Sequence, residues 1–331
     1  MKYISLLLVL FLLVSCKESG FVAENQQENP PLQVKIVSWN LQTFFDAVKV
    51  GTEYSDFISK KSSWSEEKYK TRLTRFCEIL EFADSDIFIM QEIENENILY
   101  DIINTYRLQG RRDKAYLYGG FISENGQSFG CGVLSKIPIY NLKSHQVDIR
   151  SEPEKQPDMR PLMEFSLDGS GIKRIFVCHW KSKSGGKEET EIWRDYQQSL
   201  LQTVVKNQDY NFVVCGDFNR DLKDFNIENE YLILNDDINF SSTTSLTTEE
   251  DQIKLKSCWI DFSTEDEGSY FYQNEWEKID HFFVSKGCVI KEFYTIKNGP
   301  NITEEGIPFR YNLWNGSGYS DHLPIVCTVI F

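Results

Sequence analysis

The sequence predicts an α/β domain built in layers, with more than one sheet. Short apolar runs of strand length alternate with amphipathic helical segments along most of the chain. Between residues 115 and 167, by contrast, strands follow one another with only turns between them. Alternation brings helices against a sheet, whereas direct succession gives antiparallel strand pairs. The two patterns together favour α/β layers that contain more than one sheet.

The individual elements follow from local periodicity. A strand is predicted at 34–39, followed by a helix over 65–82 with Ser65 as its N-cap. The apolar stripe of this helix, at three- and four-residue spacing, consists of Tyr69, Leu73, Phe76 and Leu80. Further strands are predicted at 86–90, 132–139, 172–178, 212–215, 281–284 and 325–330, and further helices at 97–106 and 187–206. The stretch 221–257 is too weakly patterned to assign.

Length, composition and charge limit the possible classes of protein. The chain has 331 residues, of which 41% are hydrophobic and 14% aromatic, enough apolar material for one large folded domain. We find neither an internal repeat nor a second linker. Acidic residues outnumber basic ones, 50 to 35, which gives a formal charge of −15. This excess excludes a histone-like protein and provides no long-range attraction to nucleic acid or anionic lipid.

The first residues are typical of an export signal. The apolar run that follows Lys2 is shorter than the roughly 20 residues that span a bilayer, and it fits a secretory h-region. The sequence at 13–16 resembles a bacterial lipobox, which implies cleavage before Cys16 and lipidation of its thiol; the alternative is an ordinary signal peptide with an incidental cysteine. We therefore expect a signal peptide at 1–15, a lipidated tether at 16–33 and a folded domain at 34–331. The protein would be an exported bacterial lipoprotein that contacts the membrane only through its anchor, and we expect a monomer.

The cysteines do not indicate a disulfide scaffold. Seven remain after Cys16, and none form a Cys-x-x-Cys pair, so a zinc ribbon is unsupported. Cys178, Cys215 and Cys327 lie in apolar runs and are predicted to be buried. Cys258 and Cys288 could pair, and the sequence leaves this open.

Polar residues that could take part in catalysis or metal binding lie just beyond the ends of the predicted strands. Ligands gather at strand ends in layered α/β proteins, so these residues are expected to converge. They are Asn40, Glu92, His179, Asp217 with Asn219, Asp280, and Asp321 with His322. Each is weak evidence alone, because a single polar residue after a strand is usually solvated or structural. Together they indicate a functional site, because the residue types suit one and all of them lie at similar positions relative to the strands.

The residue types indicate a site for a hard cation beside histidines. Asn40, Glu92 and Asp321 offer oxygen ligands without a thiolate, which favours Mg²⁺, with Mn²⁺ as an alternative, over Zn²⁺. A histidine paired with a carboxylate can accept a proton from water or stabilise negative charge. Arg160 could bind a phosphate oxygen, or it could be a surface arginine at the start of a strand. Together these groups suggest phosphoester hydrolysis with water as the nucleophile.

Residues 34–331 resemble the endonuclease/exonuclease/phosphatase superfamily of deoxyribonuclease-I-like enzymes. The matching segments are 38–42, 91–92, 132–138, 178–182, 216–219, 279–285 and 320–325. The resemblance implies a four-layered α/β/β/α sandwich with two mainly antiparallel or mixed sheets. It also implies a metal-dependent phosphoric ester hydrolase with its site at one end of the sheets.

The resemblance also implies a role for each matched residue. Mg²⁺ would be held chiefly by Glu92, with Asn40 and Asp321 close by. His322, oriented by Asp280, would act as a general base or an electrophile. Asp217 and Asn219 would position the water and the phosphate oxygens, and either Asp217 or His322 would take the proton. His179 would stabilise the transition state or protonate the leaving oxygen.

Two features depart from well-known branches of the superfamily. Pancreatic-type nucleases hold the counterpart of His179 with a glutamate in the preceding hairpin, where this chain offers Glu124 and, nearer the expected place, Gln127. The departure puts a general-acid role for His179 in doubt. Inositol polyphosphate phosphatases carry a Pro-Ala-Trp-Cys-Asp-Arg-type motif where this chain has 277–281.

The substrate is the least determined property at this level. Lys181, Lys183 and Lys187 form a basic loop next to His179, and Arg194 on the following helix matches secreted bacterial nucleases of the superfamily. This pattern favours a nuclease that binds a phosphodiester backbone through Arg160, Lys181, Lys183 and Arg194. The alternatives are a phosphatase or a sphingomyelinase-like phospholipase C acting on a phosphorylated head group, and an inactive surface binding module. The complete set of site residues argues against the last.

Overall fold

The computed structural model describes residues 31–111, 115–147, 156–206, 211–234, 252–262 and 268–331. Residues 32–331 form one compact unit. The predicted signal peptide, Cys16 and nearly all of the tether lie outside the described residues. Two large sheets pack face to face in this unit, and helices cover their outer faces.

The first sheet has six strands, and all its neighbouring pairs are antiparallel except one. Its strands are β1 (Gln33–Phe44), β2 (Ile87–Ile93), β3 (Tyr118–Ile122), β4 (Gly130–Ser135), β15 (Val289–Thr295) and β16 (Ile325–Ile330). Their spatial order is β15-β16-β1-β2-β4-β3, and the parallel pair is β1 with β2. The carboxyl ends of β1 and β2 therefore lie at the same edge of the sheet.

The second sheet has eight strands in the order β5-β6-β7-β8-β14-β11-β10-β9. They are β5 (Tyr140–His145), β6 (Leu162–Ser166), β7 (Lys173–His179), β8 (Asn211–Asp217), β9 (Ile227–Glu228), β10 (Tyr231–Leu234), β11 (Ile253–Ser257) and β14 (Asp280–Val284). Here β7 and β8 form the parallel pair. A separate hairpin consists of β12 (Tyr270–Tyr272) and β13 (Glu275–Glu277).

The helices of the described residues are α1 (Ser55–Ile58), α2 (Glu66–Ala83), α3 (Asn97–Leu108), α4 (Glu191–Val205) and α5 (Cys258–Phe262). The three long helices form the outer layers, whereas Cys258 and Trp259 of α5 pack in the core between the sheets. Buried side chains of α2 and α3 pack on the first sheet, and those of α4 pack on the second. The predicted N-cap of α2 is confirmed, because Ser65 Oγ accepts a hydrogen bond from the Lys68 N–H at 3.3 Å. No helix in the described ranges is long and apolar enough to cross a membrane.

The central core lies between the two sheets. Ile36, Ile89 and Val133 from the first sheet face Val213 and Phe282 from the second, and all are fully buried. Because both sheets bury one face here and the other under helices, the layer order is α/β/β/α. The predicted four-layered sandwich with two mixed sheets is confirmed.

Several predicted boundaries are wrong in detail, and the structure answers the question of a Cys258–Cys288 pair that the sequence left open. β4 ends at Ser135, short of the predicted 139. α4 begins at Glu191 instead of 187, because residues 187–190 form turns, in which the Thr190 N–H donates to the Gly186 carbonyl at 3.2 Å. The unassigned stretch 221–257 contributes β9, β10 and β11. Cys258 and Cys288 do not pair; the described cysteines are all free and buried, as predicted for Cys178, Cys215 and Cys327.

Candidate active site

The parallel strand pair of each sheet delivers two site residues to one edge of the sandwich. Asn40 lies where the regular pairing of β1 with β2 ends, Glu92 is the penultimate residue of β2, and His179 and Asp217 are the last residues of β7 and β8. Asp280, the first residue of the antiparallel β14, lies directly opposite Asp217 in the register. The two sheets therefore meet in one cluster, as the strand-end argument predicts.

Glu92 owes its orientation to a bulge. The pairing of β2 with β4 shifts register between Gln91 and Ile93, and Glu92 has a φ of 60°. A bulge re-aims a side chain out of the normal strand alternation. The Glu92 carboxylate faces the cluster, where its Oε2 accepts a hydrogen bond from the Thr43 N–H at 2.7 Å.

Asn40 connects the two sheets through its side-chain amide. Its Nδ2 donates to Glu92 Oε1 at 3.2 Å and to Asp217 Oδ2 at 2.9 Å. Its Oδ1 accepts from the Gln42 N–H at 3.0 Å. The predicted ligand oxygen is therefore turned toward the backbone, and Asn40 acts here as a donor that bridges two carboxylates.

Asp217 and Asn219 form a tight turn at the end of β8. Asn219 has a φ of 47°, and its backbone N–H donates to Asp217 Oδ1 at 2.8 Å. The Asn219 side chain donates to Asp217 Oδ2 at 3.0 Å and to the Trp180 carbonyl at 3.1 Å. The turn thereby fixes both side chains relative to the loop that follows β7.

His322 and Asp280 form a buried pair. His322 Nδ1 lies 2.7 Å from Asp280 Oδ2, and the His322 carbonyl accepts from Trp39 Nε1 at 2.9 Å. The Tyr270 ring packs beside the imidazole, with 4.8 Å between ring centroids. These contacts hold the imidazole at the floor of a cleft.

Burial and mutual charge shift the pKa values of this group. Burial opposes the charged form of His322, but the charge and hydrogen bond of Asp280 and the charges of Asp217 and Asp321 together outweigh it and raise the pKa of His322 to about 10. Burial and the negative charge of Asp280 raise the pKa of Asp217 to about 7. At neutral pH, therefore, His322 is an imidazolium and Asp217 is poised to exchange a proton.

His179 lies next to the carboxylates of Glu92 and Asp217, but within the described residues no carboxylate binds its Nδ1. Its Nε2 is 3.6 Å from Glu92 Oε1 and 3.9 Å from Asp217 Oδ2. Phe129 stacks on the imidazole, and Nδ1 has no partner within the described residues. Gln127 donates instead to the Met159 carbonyl at 2.6 Å. Burial and the nearby Arg160 hold the pKa of His179 well below its usual value, so the ring is neutral.

The donors around the cleft suit a hard divalent cation. Glu92 and Asp321 line the cleft with partly exposed carboxylates, whereas Asp217, Asp280 and His322 form a buried group whose ligand atoms lie within 4.8 Å of one another. Oxygen donors with imidazole and without thiolate match Mg²⁺ or Mn²⁺. Asp280 and His322 already bind each other, which leaves Glu92 and Asp321 as the better placed ligands.

The structure changes the interpretation of one predicted phosphate contact. The Arg194 side chain is fully buried, and all five of its N–H donors are engaged within its own loop and helix. The acceptors are the carbonyls of Lys181 and Lys187, the Thr190 hydroxyl and the Glu191 carboxylate. Arg194 therefore braces the basic loop and has no donor left for a phosphate.

The other predicted phosphate contacts lie in two places. Arg160 and Lys181 are neighbours on the His179 side of the site, where the Arg160 guanidinium lies 5.4 Å from the Phe129 ring centroid. Lys183 and Lys187 line the cleft, but each forms an ion pair, with Glu277 and with Asp224 respectively.

The cleft has a volume of about 900 Å³ and a predominantly acidic lining. Seven acidic side chains line it, against four basic ones and the imidazolium of His322. The acidic residues are Asp56, Glu92, Asp217, Asp221, Asp224, Glu277 and Asp321, and the basic ones are Lys183, Lys187, Lys223 and Arg310. Tyrosines supply most of its aromatic surface, namely Tyr54, Tyr270, Tyr272 and Tyr311.

Sequence reasoning missed the residues that line the cleft from loops. Tyr270, Arg310 and Tyr311 belong to no recognisable motif. Only the position of Arg310 in the sequence, near Ser320-Asp321-His322, could have suggested that Arg310 lines the cleft. Arg72 was also missed, because it lies in a helix whose apolar stripe accounts for its neighbours.

Residues 35–330 match the sequence profile described as the endonuclease/exonuclease/phosphatase family. The chain belongs to this family. The match extends over nearly the whole folded unit and includes every site residue of the cluster. No curated protein sequence matches the chain.

Solved structures of several proteins have the same fold. A family member from Bacteroides thetaiotaomicron has a TM-score of 0.53 at 16% identity, covering 92% of this chain and 99% of that one. The mannosyl-6-phosphatase of the same organism has a TM-score of 0.51 at 16% identity, covering 90% and 100%. TDP2 from Caenorhabditis elegans has a TM-score of 0.54 at 14% identity, covering 91% and 74%. At such identities the likeness establishes the fold.

Family membership establishes the reaction class. The protein is an enzyme of the metal-dependent phosphoester hydrolase class. The carboxylates, the histidines and the cleft that joins them agree with that chemistry.

Proposed function

We propose that the chain is a Mg²⁺-dependent hydrolase of a compact phosphorylated substrate, a phosphomonoester of a sugar or nucleotide. The observation that carries this proposal is the charge of the cleft wall. Lys183, Lys187 and Arg310 are three of the four basic side chains there, and each lies within ion-pair distance of an acidic residue of the same wall. Basic residues neutralised in this way offer little to a long polyanion, whose binding depends on many uncompensated cations.

Overall charge and cleft shape support the same conclusion. The chain carries −15, so a duplex would be repelled at long range, whereas one phosphate beside a divalent cation would not. A cleft of about 900 Å³ with tyrosine walls has the size and character of small-ligand sites.

The proposed mechanism assigns proton transfer to Asp217. Its Oδ2 accepts two side-chain amides, from Asn40 and Asn219, whereas Oδ1 accepts only the Asn219 N–H. Oδ1 therefore keeps room to take a proton from the attacking water. A pKa of about 7 makes Asp217 an effective base near neutral pH.

His322 and His179 act on charge at the phosphoryl group. The His322 imidazolium, held by Asp280, offsets negative charge that develops on the phosphoryl oxygens. Neutral His179 can donate a hydrogen bond but carries no extra proton for the leaving oxygen, so that oxygen takes its proton from solvent and Asp217 returns to solvent the proton that it accepted. Glu92 and Asp321 would hold the divalent cation, which when bound polarises a phosphoryl oxygen.

A nuclease is the second candidate, and one observation favours it. Arg160 and Lys181 lie together beside His179, outside the acidic cleft wall. Two cations in this position could bind the next phosphate of a nucleic acid strand. The experiment must therefore separate a phosphomonoester from a polyanion.

The test compares kcat/KM on a substrate panel. The purified chain is assayed with Mg²⁺ or EDTA on sugar phosphates, nucleoside monophosphates, a single-stranded oligonucleotide, plasmid DNA and sphingomyelin. We expect metal-dependent phosphate release from a monoester and no cleavage of plasmid. Faster turnover of oligonucleotide or plasmid, lost in Lys181→Ala, would favour the nuclease; phosphocholine release would favour the phospholipase; no turnover of any substrate would favour a binding module.

We also propose that the protein is an exported lipoprotein anchored through Cys16. The proposal rests on the apolar run and the lipobox-like residues at 13–16. Labelled palmitate should enter the wild-type chain in a bacterial host and be absent from Cys16→Ala. Incorporation into both would contradict the assignment of the lipid to this thiol.

A further inference from the structure

The segment that follows Asn40 adopts an unusual backbone. Gln42 and Thr43 are consecutive non-glycine residues with φ values of 50° and 53°. A left-handed conformation is strained for an L-residue, so the surroundings must hold it in place. The turn directs the carbonyls of residues 41–43 into the protein and the N–H groups of Gln42 and Thr43 toward the site.

Arg72 of α2 binds the inner side of this turn. Its Nη2 donates to the carbonyls of Leu41 and Gln42 at 2.5 and 2.6 Å, and its Nη1 donates to the Thr43 carbonyl at 2.9 Å. The guanidinium is buried between the rings of Phe44 and Tyr311, 4.5 and 3.9 Å from their centroids. One planar cation therefore ties three successive carbonyls to a helix.

The outer side of the same turn holds the side chains of the candidate metal site. The Gln42 N–H donates to Asn40 Oδ1 at 3.0 Å, and the Thr43 N–H donates to Glu92 Oε2 at 2.7 Å. The Gln42 side chain adds two hydrogen bonds to the backbone of Tyr311, at 2.8 and 3.1 Å. The peptides 41–42 and 42–43 thus have Arg72 on one side and a site residue on the other.

We propose that Arg72 is a positioning residue for the metal site, acting through the turn 41–43 on Glu92 and Asn40. This inference rests on the proposed assignment of Glu92 to the metal. Without the guanidinium, the carbonyls of residues 41–43 lose their link to α2, although the Gln42 carbonyl keeps Thr43 Oγ1 and the Thr43 carbonyl keeps the Phe45 N–H as donors. The strained turn is then held less firmly with its N–H groups aimed at Asn40 and Glu92. Groups that orient metal ligands in this way typically change metal affinity by about 10–100-fold when removed.

Lysine cannot replace Arg72 in this arrangement. Its ammonium is a point donor at the end of a flexible chain and cannot stack as a plane between Phe44 and Tyr311 while bonding three carbonyls. Arg72→Lys therefore keeps the charge and loses the geometry. Arg72→Met removes both and keeps much of the buried volume.

The experiment uses the whole chain and two readouts. Hydrogen exchange of the segment 40–44 is measured without metal or substrate. Mn²⁺ alone is then titrated and followed by its electron paramagnetic resonance signal. Arg174→Met is the matched control, since Arg174 bonds Gly171 and Glu164 near the opposite end of β7, about 16 Å along the strand from His179.

We expect both Arg72 variants to exchange the amides of 42 and 43 much faster than wild type and to bind Mn²⁺ about 10-fold or more weakly. Arg174→Met, although less stable, should match wild type in both readouts. If Arg72→Met fails to fold, the two readouts on Arg72→Lys test the proposal instead. Unchanged exchange at 42 and 43, or unchanged Mn²⁺ affinity of a folded variant, would overturn the proposal. If wild type binds no Mn²⁺, the metal assignment to Glu92 fails, and the exchange data alone decide whether Arg72 holds the turn.

Discussion

Asp280 binds His322 through only one of its carboxylate oxygens. Oδ2 lies 2.7 Å from the imidazole, and Oδ1 has no hydrogen-bond partner in the described part of the chain. The pair is fully buried, so the charge of Asp280 acts on His322 with little screening. The negative charge, more than the hydrogen bond alone, keeps His322 protonated.

Replacing Asp280 with asparagine tests this dependence. Asp280→Asn keeps the size of the side chain and removes its charge, so the pKa of His322 should fall from about 10 toward its usual range. We expect kcat to fall about 100-fold or more, with KM changed by less than about threefold, because the lost interaction acts on the transition state. NMR titration of His322 and steady-state kinetics measure the two effects. An unchanged kcat with a lowered pKa would show that the imidazolium is not needed.

His281 sits beside Asp280 but faces the other way. Strand alternation turns its imidazole into an aromatic cluster, where Nε2 donates to the Arg220 carbonyl at 2.9 Å. The motif 279–281 identified an important position, but it could not say which neighbour enters the cleft. That distinction depends on the register of β14 against β8, which only the assembled sheet defines.

Burial lowers the pKa of His281 from 6.5 to about 4. The native state thus disfavours the proton that the unfolded chain binds, so the contribution to stability is complete above pH 6.5 and disappears as pH falls toward 4. Over this window His281 should account for about 3 kcal/mol of lost unfolding free energy. Urea denaturation of wild type and His281→Gln across the window checks this: the difference between them should shrink as pH falls. A difference independent of pH would contradict a neutral buried His281.

At the level of secondary-structure elements, parallel pairs explain why strand-end residues could be predicted from sequence. β1 with β2, and β7 with β8, end at the same edge and bring Asn40, Glu92, His179 and Asp217 together. Other features could not be predicted. The bulge at Glu92 depends on pairing with β4, and the stacking of Phe129 on His179 depends on how a distant hairpin packs.

Near the start of α4, the role of Arg194 in the structure differs from the predicted one, and the difference can be tested. Arg194 was predicted to bind phosphate, but it instead braces the loop 181–187 with all five of its donors. Arg194→Lys should therefore lower the free energy of unfolding by about 2–4 kcal/mol, because several buried acceptors lose partners. Chemical denaturation measures the loss, with Lys183→Ala, a partly exposed residue of the same loop, as control. A stable Arg194→Lys with a KM raised about tenfold would restore the phosphate-binding role.

At the scale of the whole molecule, the two sheets concentrate carboxylates at one edge of an acidic protein. Glu92, Asp217, Asp280 and Asp321 gather there, and within the described residues His322 is the cation buried among them. Such a group is costly unless a cation compensates it. The fold and the identity of the cluster could be predicted from sequence, because motifs stand at strand ends. The acidic cleft wall could not, because its residues come from loops that no local pattern brings together.

The most direct test of the account is the release of inorganic phosphate from the best small phosphomonoester of the panel, in excess Mg²⁺. Wild type is compared with Glu92→Gln and with Glu94→Gln, a buried carboxylate two residues away that binds the Asp46 N–H and lies outside the cleft lining. We expect Glu92→Gln to lose activity by about 1,000-fold or more, Glu94→Gln to stay within about threefold of wild type, and wild type to lose all activity after chelation. Glu92→Gln that keeps near-wild-type turnover, or wild type that remains active in EDTA, would contradict it.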